Sequence, residues 1–126
     1  MTDQHILVVD DELILLMEME GELSSAGYVV HSAANALAAF EALQRHPEIE
    51  VVVTDVQMPG SGDGRALAQY IRAVSPSVPI IVVSGTEVDL AEMPSSNVVV
   101  MSKPFEMDKL IEAIRQVAPP STAIDI

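Results

Sequence analysis

The stretch Val51-Val52-Val53-Thr54-Asp55, followed by Val56-Gln57-Met58-Pro59-Gly60, decides how this chain is read. A β-branched run stopped by a Pro-Gly loop reads as a strand buried on both faces, the kind found in parallel sheets. A buried strand that ends on a carboxylate needs a reason for the charge, because an unpaired buried acid is costly. Asp55 is therefore the residue around which the other features are arranged.

The same pattern recurs on both sides of it. Ile6-Leu7-Val8-Val9 ends on Asp10-Asp11-Glu12, Ile80-Ile81-Val82-Val83 ends on Ser84-Gly85, and Val98-Val99-Val100-Met101 ends on Ser102-Lys103-Pro104-Phe105. A further strand is expected over about 28–33, Tyr28-Val29-Val30-His31-Ser32-Ala33. Between these runs the apolar residues fall at helical spacing. One helix is expected over about 12–25, with Leu16, Met19, Leu23 and Ala26 on one face and Gly27 as its C′ residue. Its first turn, Leu13-Ile14-Leu15, is apolar nearly all round, which is more than a one-sided helix needs and marks a candidate partner contact. A second is expected over about 36–46, capped by Asn35, with Ala36, Ala39, Phe40 and Leu43 inward. A third, over 64–74, carries Leu67, Tyr70, Ile71 and Val74, and the last, over about 106–117, carries Met107, Leu110, Ile111, Ile114 and Val117. The short stretch before the fifth strand, with Pro94-Ser95-Ser96, leaves room for about one helical turn near 87–92 or none.

Strands alternating with helices predict an α/β fold with a parallel sheet covered on both faces. Right-handed crossovers and five strands favour a flavodoxin-like three-layer sandwich of strand order 2-1-3-4-5, with the fourth helix short or absent. Residues 1–118 are expected to form one domain and 119–126 a flexible tail.

Composition excludes several function classes. The net charge is −13, with six Lys and Arg against nineteen Asp and Glu. That opposes direct binding of nucleic acid or an anionic membrane surface and suits a hard cation or a basic partner. Cysteine is absent, so thiol catalysis, disulfides and thiolate metal sites are excluded. No apolar run approaches the roughly 18 residues of a transmembrane helix, and no signal-type N-terminus is evident, so a cytoplasmic location is expected. His5, His31 and His46 are scattered along the chain and are given no ligand role.

On the expected sheet, the polar residues gather at the carboxyl ends of the strands, where ligands sit beside the switch point. Asp10 and Asp11 follow strand one, Asp55 ends strand three, Ser84 strand four, and Lys103 follows strand five. Three carboxylates at close range repel, and a divalent cation offsets the repulsion. Oxygen donors without Cys or His favour Mg²⁺. A lysine and a hydroxyl beside a carboxylate nucleophile suit phosphoryl transfer. Taken singly, each residue has an ordinary reading: an acid cluster at a helix start, a loop cap, a surface lysine. The convergence of several strand ends is what favours the chemical one. No Gly-rich phosphate loop follows strand one, which argues against nucleotide binding.

The Asp-Asp-Glu after strand one, the Asp55…Met58-Pro59…Asp63-Gly64 segment, Ser84-Gly85 and Lys103-Pro104-Phe105 together resemble the receiver domain of two-component response regulators, over about residues 4–117. The resemblance implies Asp55 as phosphoacceptor from a histidine kinase or histidine phosphotransfer protein. It implies Mg²⁺ held by Asp11, Asp55 and the backbone carbonyl of Gln57, with Asp10 acting largely through water. Lys103 and Ser84 would bind the phosphoryl group, and the Lys103–Pro104 bond would be cis. Gln57 and Thr86 occupy positions that tune dephosphorylation in the family. Output would pass through an unknown downstream protein, from a monomer or weak dimer. The sequence departs from the family pattern at Val100, where a switch aromatic usually stands, in the shortened stretch before strand five, and in an extra residue in the loop after Asp55. A receiver-fold docking module that signals without phosphorylation therefore stays open as the alternative. An aspartyl-phosphate phosphatase acting on a separate substrate is disfavoured, since the chain has no room for a cap domain.

Overall fold

Valine and isoleucine runs fill the centre of the molecule, and helices supply the residues that cover them. The structure, a computed structural model, describes residues 4–56, 64–85 and 97–119. Five strands, β1 (His5–Val9), β2 (Val29–Ala33), β3 (Ile49–Asp55), β4 (Ile80–Ser84) and β5 (Val98–Ser102), form one sheet in the order β2-β1-β3-β4-β5, and every adjacent pair is parallel. Helices α1 (Leu13–Ser25), α2 (Ala36–Arg45), α3 (Gly64–Val74) and α4 (Met107–Val117) complete the described elements. The chain thus has the flavodoxin-like three-layer arrangement expected from its alternation of strands and helices. The expected turn of helix near 87–92, the loop 57–63 and the tail from 120 lie outside the described residues.

Strand alternation sorts the apolar residues into two cores. Leu7, Val9, Val52, Ile80 and Val82 face α2 and α3, where Ala36, Ala39, Leu67, Ala68 and Ile71 meet them. Ile6, Val8, Val51, Val53, Ile81 and Val83 face α1 and α4, where Leu16, Met19, Leu23, Leu110 and Ile114 pack. The central strands are buried on both sides, and the edge strands β2 and β5 are only partly covered. Between α2 and α3, the Phe40 and Tyr70 rings meet edge to face with centroids 4.7 Å apart.

Local chemistry fixes the element ends. Asn35 caps α2 by accepting from the Ala38 N–H at 2.8 Å. At the end of α1, Gly27 takes φ +102°, its N–H bonds to Ser24 O, and the Tyr28 N–H bonds to Leu23 O. These are the two hydrogen bonds of a Schellman ending. The Arg72 guanidinium donates to the carbonyls of Pro76, Val78 and Asn97, tying the end of α3 to the approach to β4 and β5.

Two inward assignments are corrected. Ala26 is exposed, because it is the C-cap of α1 and the chain turns away there. Val74, the last residue of α3, is also exposed, while Ala68 is buried beside Leu67 and Ile71 on that helix. Of the apolar first turn of α1, Leu13 and Ile14 are largely exposed, as is Met17 one turn on, whereas Leu15 is partly buried against the core. The histidines are not scattered in space. His5, His31 and His46 stack in sequence beside α2, and burial first, then the charge of its two imidazole neighbours, holds His31 below the usual histidine range.

Gly21, inside α1, and Gly27, just past its end, make opposite predictions. A Cβ meets nothing within 4 Å at either position. Gly21→Ala, in the helix interior, should stabilise the fold by about 0.5–1 kcal/mol in urea denaturation. Gly27→Ala, at a positive φ, should destabilise it by about 1 kcal/mol, through backbone strain alone.

Candidate functional site

The carboxyl ends of β1 and β3 lie side by side because the sheet order makes these strands neighbours. The register pairs Val9 with Thr54, which sets Asp10 next to Asp55. Both acids are buried, Asp10 at 1% and Asp55 at 6% exposure, whereas Asp11 is exposed at the rim of the same site. The Asp10 backbone N–H is held by Ala33 O at 3.1 Å, and its Oδ1 accepts from the Glu12 N–H at 2.8 Å, so it also supports the entry to α1. Thr54, wholly buried, donates its hydroxyl to the Asp55 carbonyl at 2.9 Å and steadies the end of β3.

Lys103 arrives from the far edge of the sheet. Its backbone N–H bonds to Ser84 O at 2.8 Å, continuing the β4–β5 ladder past Ser84 and Ser102. The Lys103–Pro104 peptide is cis. The side chain reaches back across the strand ends and places Nζ 2.7 Å from Glu12 Oε2, 3.0 Å from Asp55 Oδ2 and 3.1 Å from Asp10 Oδ2. Burial by itself would lower the lysine pKa. The hydrogen bonds to Glu12, Asp55 and Asp10 outweigh it and hold the ammonium well above its ordinary value.

One ammonium therefore serves three carboxylates, with the fourth acid, Asp11, alongside. Burial raises the Asp10 pKa most. The Glu12 N–H and Lys103 oppose that shift, and the charge on Asp55 adds to it. One oxygen from each of Asp10, Asp11 and Asp55 lies within 4.8 Å of the other two. Three convergent carboxylates without nitrogen or sulfur donors fit a hard divalent cation such as Mg²⁺.

The structure brings Asp10, Asp11, Asp55 and Lys103 to one point. It puts Ser84, buried at 2%, at the end of the adjoining strand β4. Gln57 and Thr86 lie outside the described residues. Val100 sits on edge strand β5, opposite Val82 and 39% exposed. Two contributors went unassigned in the sequence reading. Glu12 makes the shortest contact to Lys103, yet only knowledge of where the lysine reaches could single it out from an ordinary acidic helix start. Thr54 was concealed in the apolar run that it interrupts.

Comparison with known proteins points one way. The sequence profile described as response regulator receiver domain matches residues 6–115. The sensor kinase CckA of Brucella abortus is 32% identical over 115 residues, which are 88% of this chain and 12% of that protein. The C4-dicarboxylate transport transcriptional regulatory protein DctD of Rhizobium meliloti is 32% identical over 114 residues, 88% of this chain and 24% of that protein. The chain thus spans about an eighth to a quarter of the length of these curated relatives. The crystal structure of a response regulator receiver protein from Sinorhizobium medicae superimposes with a TM-score of 0.84 at 33% identity, covering 91% of this chain and 94% of the other.

Because folding raises the Asp10 pKa, the stability linked to its proton is present below the ordinary aspartate value and is lost as pH rises through the shifted one. At neutral pH, ionised Asp10 therefore costs stability. Asp10→Asn keeps an acceptor for the Glu12 N–H. Without Mg²⁺ it should raise the melting temperature at pH 7 by a few degrees, and the gain should fade below about pH 4.

Proposed function

Since the chain belongs to the response regulator receiver domain family of two-component systems, we propose that it accepts a phosphoryl group on Asp55 from a phosphohistidine of a histidine kinase or phosphotransfer protein. The observation that carries this reading is the contact of Lys103 Nζ with Asp55 Oδ2 at 3.0 Å, at a point where three carboxylates converge.

In the step proposed, an Asp55 carboxylate oxygen attacks phosphorus. The new O–P bond forms as the P–N bond to the donor imidazole breaks, and the imidazole leaves with the bonding pair and takes up a proton. The Lys103 ammonium already touches the attacking carboxylate, so it needs little movement to meet the oxygens of the transferred group. Ser84, at the end of β4, offers a hydroxyl to those oxygens. Asp10, Asp11 and Asp55, with the Gln57 carbonyl, would hold Mg²⁺. When bound, the ion supplies positive charge against the phosphoryl oxygens and offsets the repulsion among the acids. The wide exposure of Leu13, Ile14 and Met17, beside Asp11 at the start of α1, supports this face as the place where the donor protein docks.

A second reading is a docking module whose partner affinity is indifferent to phosphorylation. The half-exposed Val100 favours it, since a valine cannot supply the aromatic rotamer change that the family resemblance implies at that position. No membrane role is part of either reading: among the described residues, no helix is long and apolar enough to cross a bilayer. A cytoplasmic site of action is proposed with the rest.

With Mg²⁺ and a small-molecule phosphodonor, intact-mass measurement should show one phosphoryl group added. Asp55→Asn should abolish it, and an undiminished signal in that variant overturns the assignment. Lys103→Ala should slow labelling on the order of a hundredfold.

A further inference from the structure

Away from the acid site, the structure gathers the chain's three histidines and one glutamate. His5 opens β1, His31 lies in β2, His46 caps the end of α2, and Glu48 stands in the turn just before β3. His31 pairs with Leu7 across the β1–β2 ladder, and His5 lies two residues before Leu7, so both imidazoles stand on the α2 face. The β1–β3 register shifts between His5 and Ile6, at the end of the sheet where Glu48 enters.

The rings form a column. His5 and His31 have centroids 5.2 Å apart and planes 17° from parallel, and His31 and His46 follow at 4.2 Å and 29°. His5 Nδ1 lies 3.0 Å from His31 Nε2 and 3.9 Å from Glu48 Oε1. One ligand atom from each of His5, His31 and Glu48 falls within 4.8 Å of the other two. His46 Nδ1 lies 3.2 Å from Glu48 Oε1. The side chains of His5, His46 and Glu48 are 27%, 39% and 45% exposed, so the group is open to solvent.

Two imidazoles and a carboxylate make a donor set unlike that at Asp55. Imidazole suits Zn²⁺, Cu²⁺ and Ni²⁺, whereas an all-oxygen set suits Mg²⁺. Zn–N bonds of about 2.0–2.1 Å in a tetrahedron put neighbouring donors about 3.3 Å apart. The observed separations of 3.0 and 3.9 Å bracket that spacing. We propose that His5, His31 and Glu48 form a binding site for a Zn²⁺-class transition cation, with one coordination position left to water. His46 is a positioning residue there: its Nδ1–H donates to the Glu48 carboxylate and fixes the ligand's direction. The site joins the starts of β1 and β3 to edge strand β2, so an ion bound there pins the outer strand of the sheet.

The test is calorimetric titration of the full chain with Zn²⁺, in excess Mg²⁺ so that the acid site is occupied. A single zinc per chain is expected, together with a higher melting temperature. His31→Gln should weaken the affinity at least about tenfold and remove the thermal shift, and His46→Ala should weaken it about tenfold. Asp55→Asn and Asp11→Asn should leave it unchanged, which separates this site from the acidic one. Because His31→Gln could disturb folding, the wild-type protein gives a second readout. The ¹⁵N resonances of the His5 and His31 rings should move on adding Zn²⁺. Static resonances, an isotherm unaltered in His31→Gln, or binding abolished by the aspartate variants would each overturn the proposal.

Discussion

One ammonium ion stands among three carboxylates at the carboxyl edge of the sheet, and the arrangement of that edge depends on it. Lys103 meets Asp10, Glu12 and Asp55 at salt-bridge distance, and the first and last of these acids are nearly dehydrated. Buried like charges at such range repel strongly, and leaving one of them unpaired costs several kcal/mol in proteins generally. Burial, more than the neighbouring charge of Asp55, pushes the Asp10 pKa upward, and a single ammonium offsets only part of the charge on three carboxylates. The pocket is therefore left with an excess of negative charge. That is the state in which a divalent cation improves the electrostatics instead of worsening them.

The sheet makes this possible because its order is not the order of the chain. Placing β1 between β2 and β3 brings Asp10 beside Asp55. Placing β4 and β5 on the other side puts Ser84 and Lys103 within reach from the opposite flank. The two cores clamp the central strands from above and below, so the functional side chains project from rigid strand ends. The opposite end of β1 carries chemistry of a different kind. The acid pocket is hard and oxygen-rich, and the column beside α2 is imidazole-rich, so the two ends of one sheet present donor sets with different metal preferences.

Much of this was legible in the residues. The strands announced themselves as β-branched runs, and their observed limits fall within a residue or so of those expected. Asn35 and Gly27 marked helix ends by side-chain and backbone chemistry that acts locally. Misplaced residues were at helix termini: Ala26 and Val74 fit an ideal helical stripe, but the chain leaves the core before reaching them. Asp55, Asp10, Asp11 and Lys103 could be linked because each ends a strand, and a parallel sheet brings such ends together.

By itself, the sequence determined the alternation of elements, the layers and the identity of the acids, because hydrophobic period and turn chemistry are local properties. Only the tertiary structure decided which atoms touch. It chose Glu12 as the nearest partner of Lys103, left Asp11 exposed while burying Asp10, and stacked three histidines separated by up to forty-one positions into one column. Those outcomes depend on strand register and on the reach of long side chains across neighbouring strands, and neither is encoded in the spacing of residues along the chain. Asp55 began as an acid with no evident reason to end a buried strand, and the fold gives it one, in the lysine that meets it from the other side of the sheet.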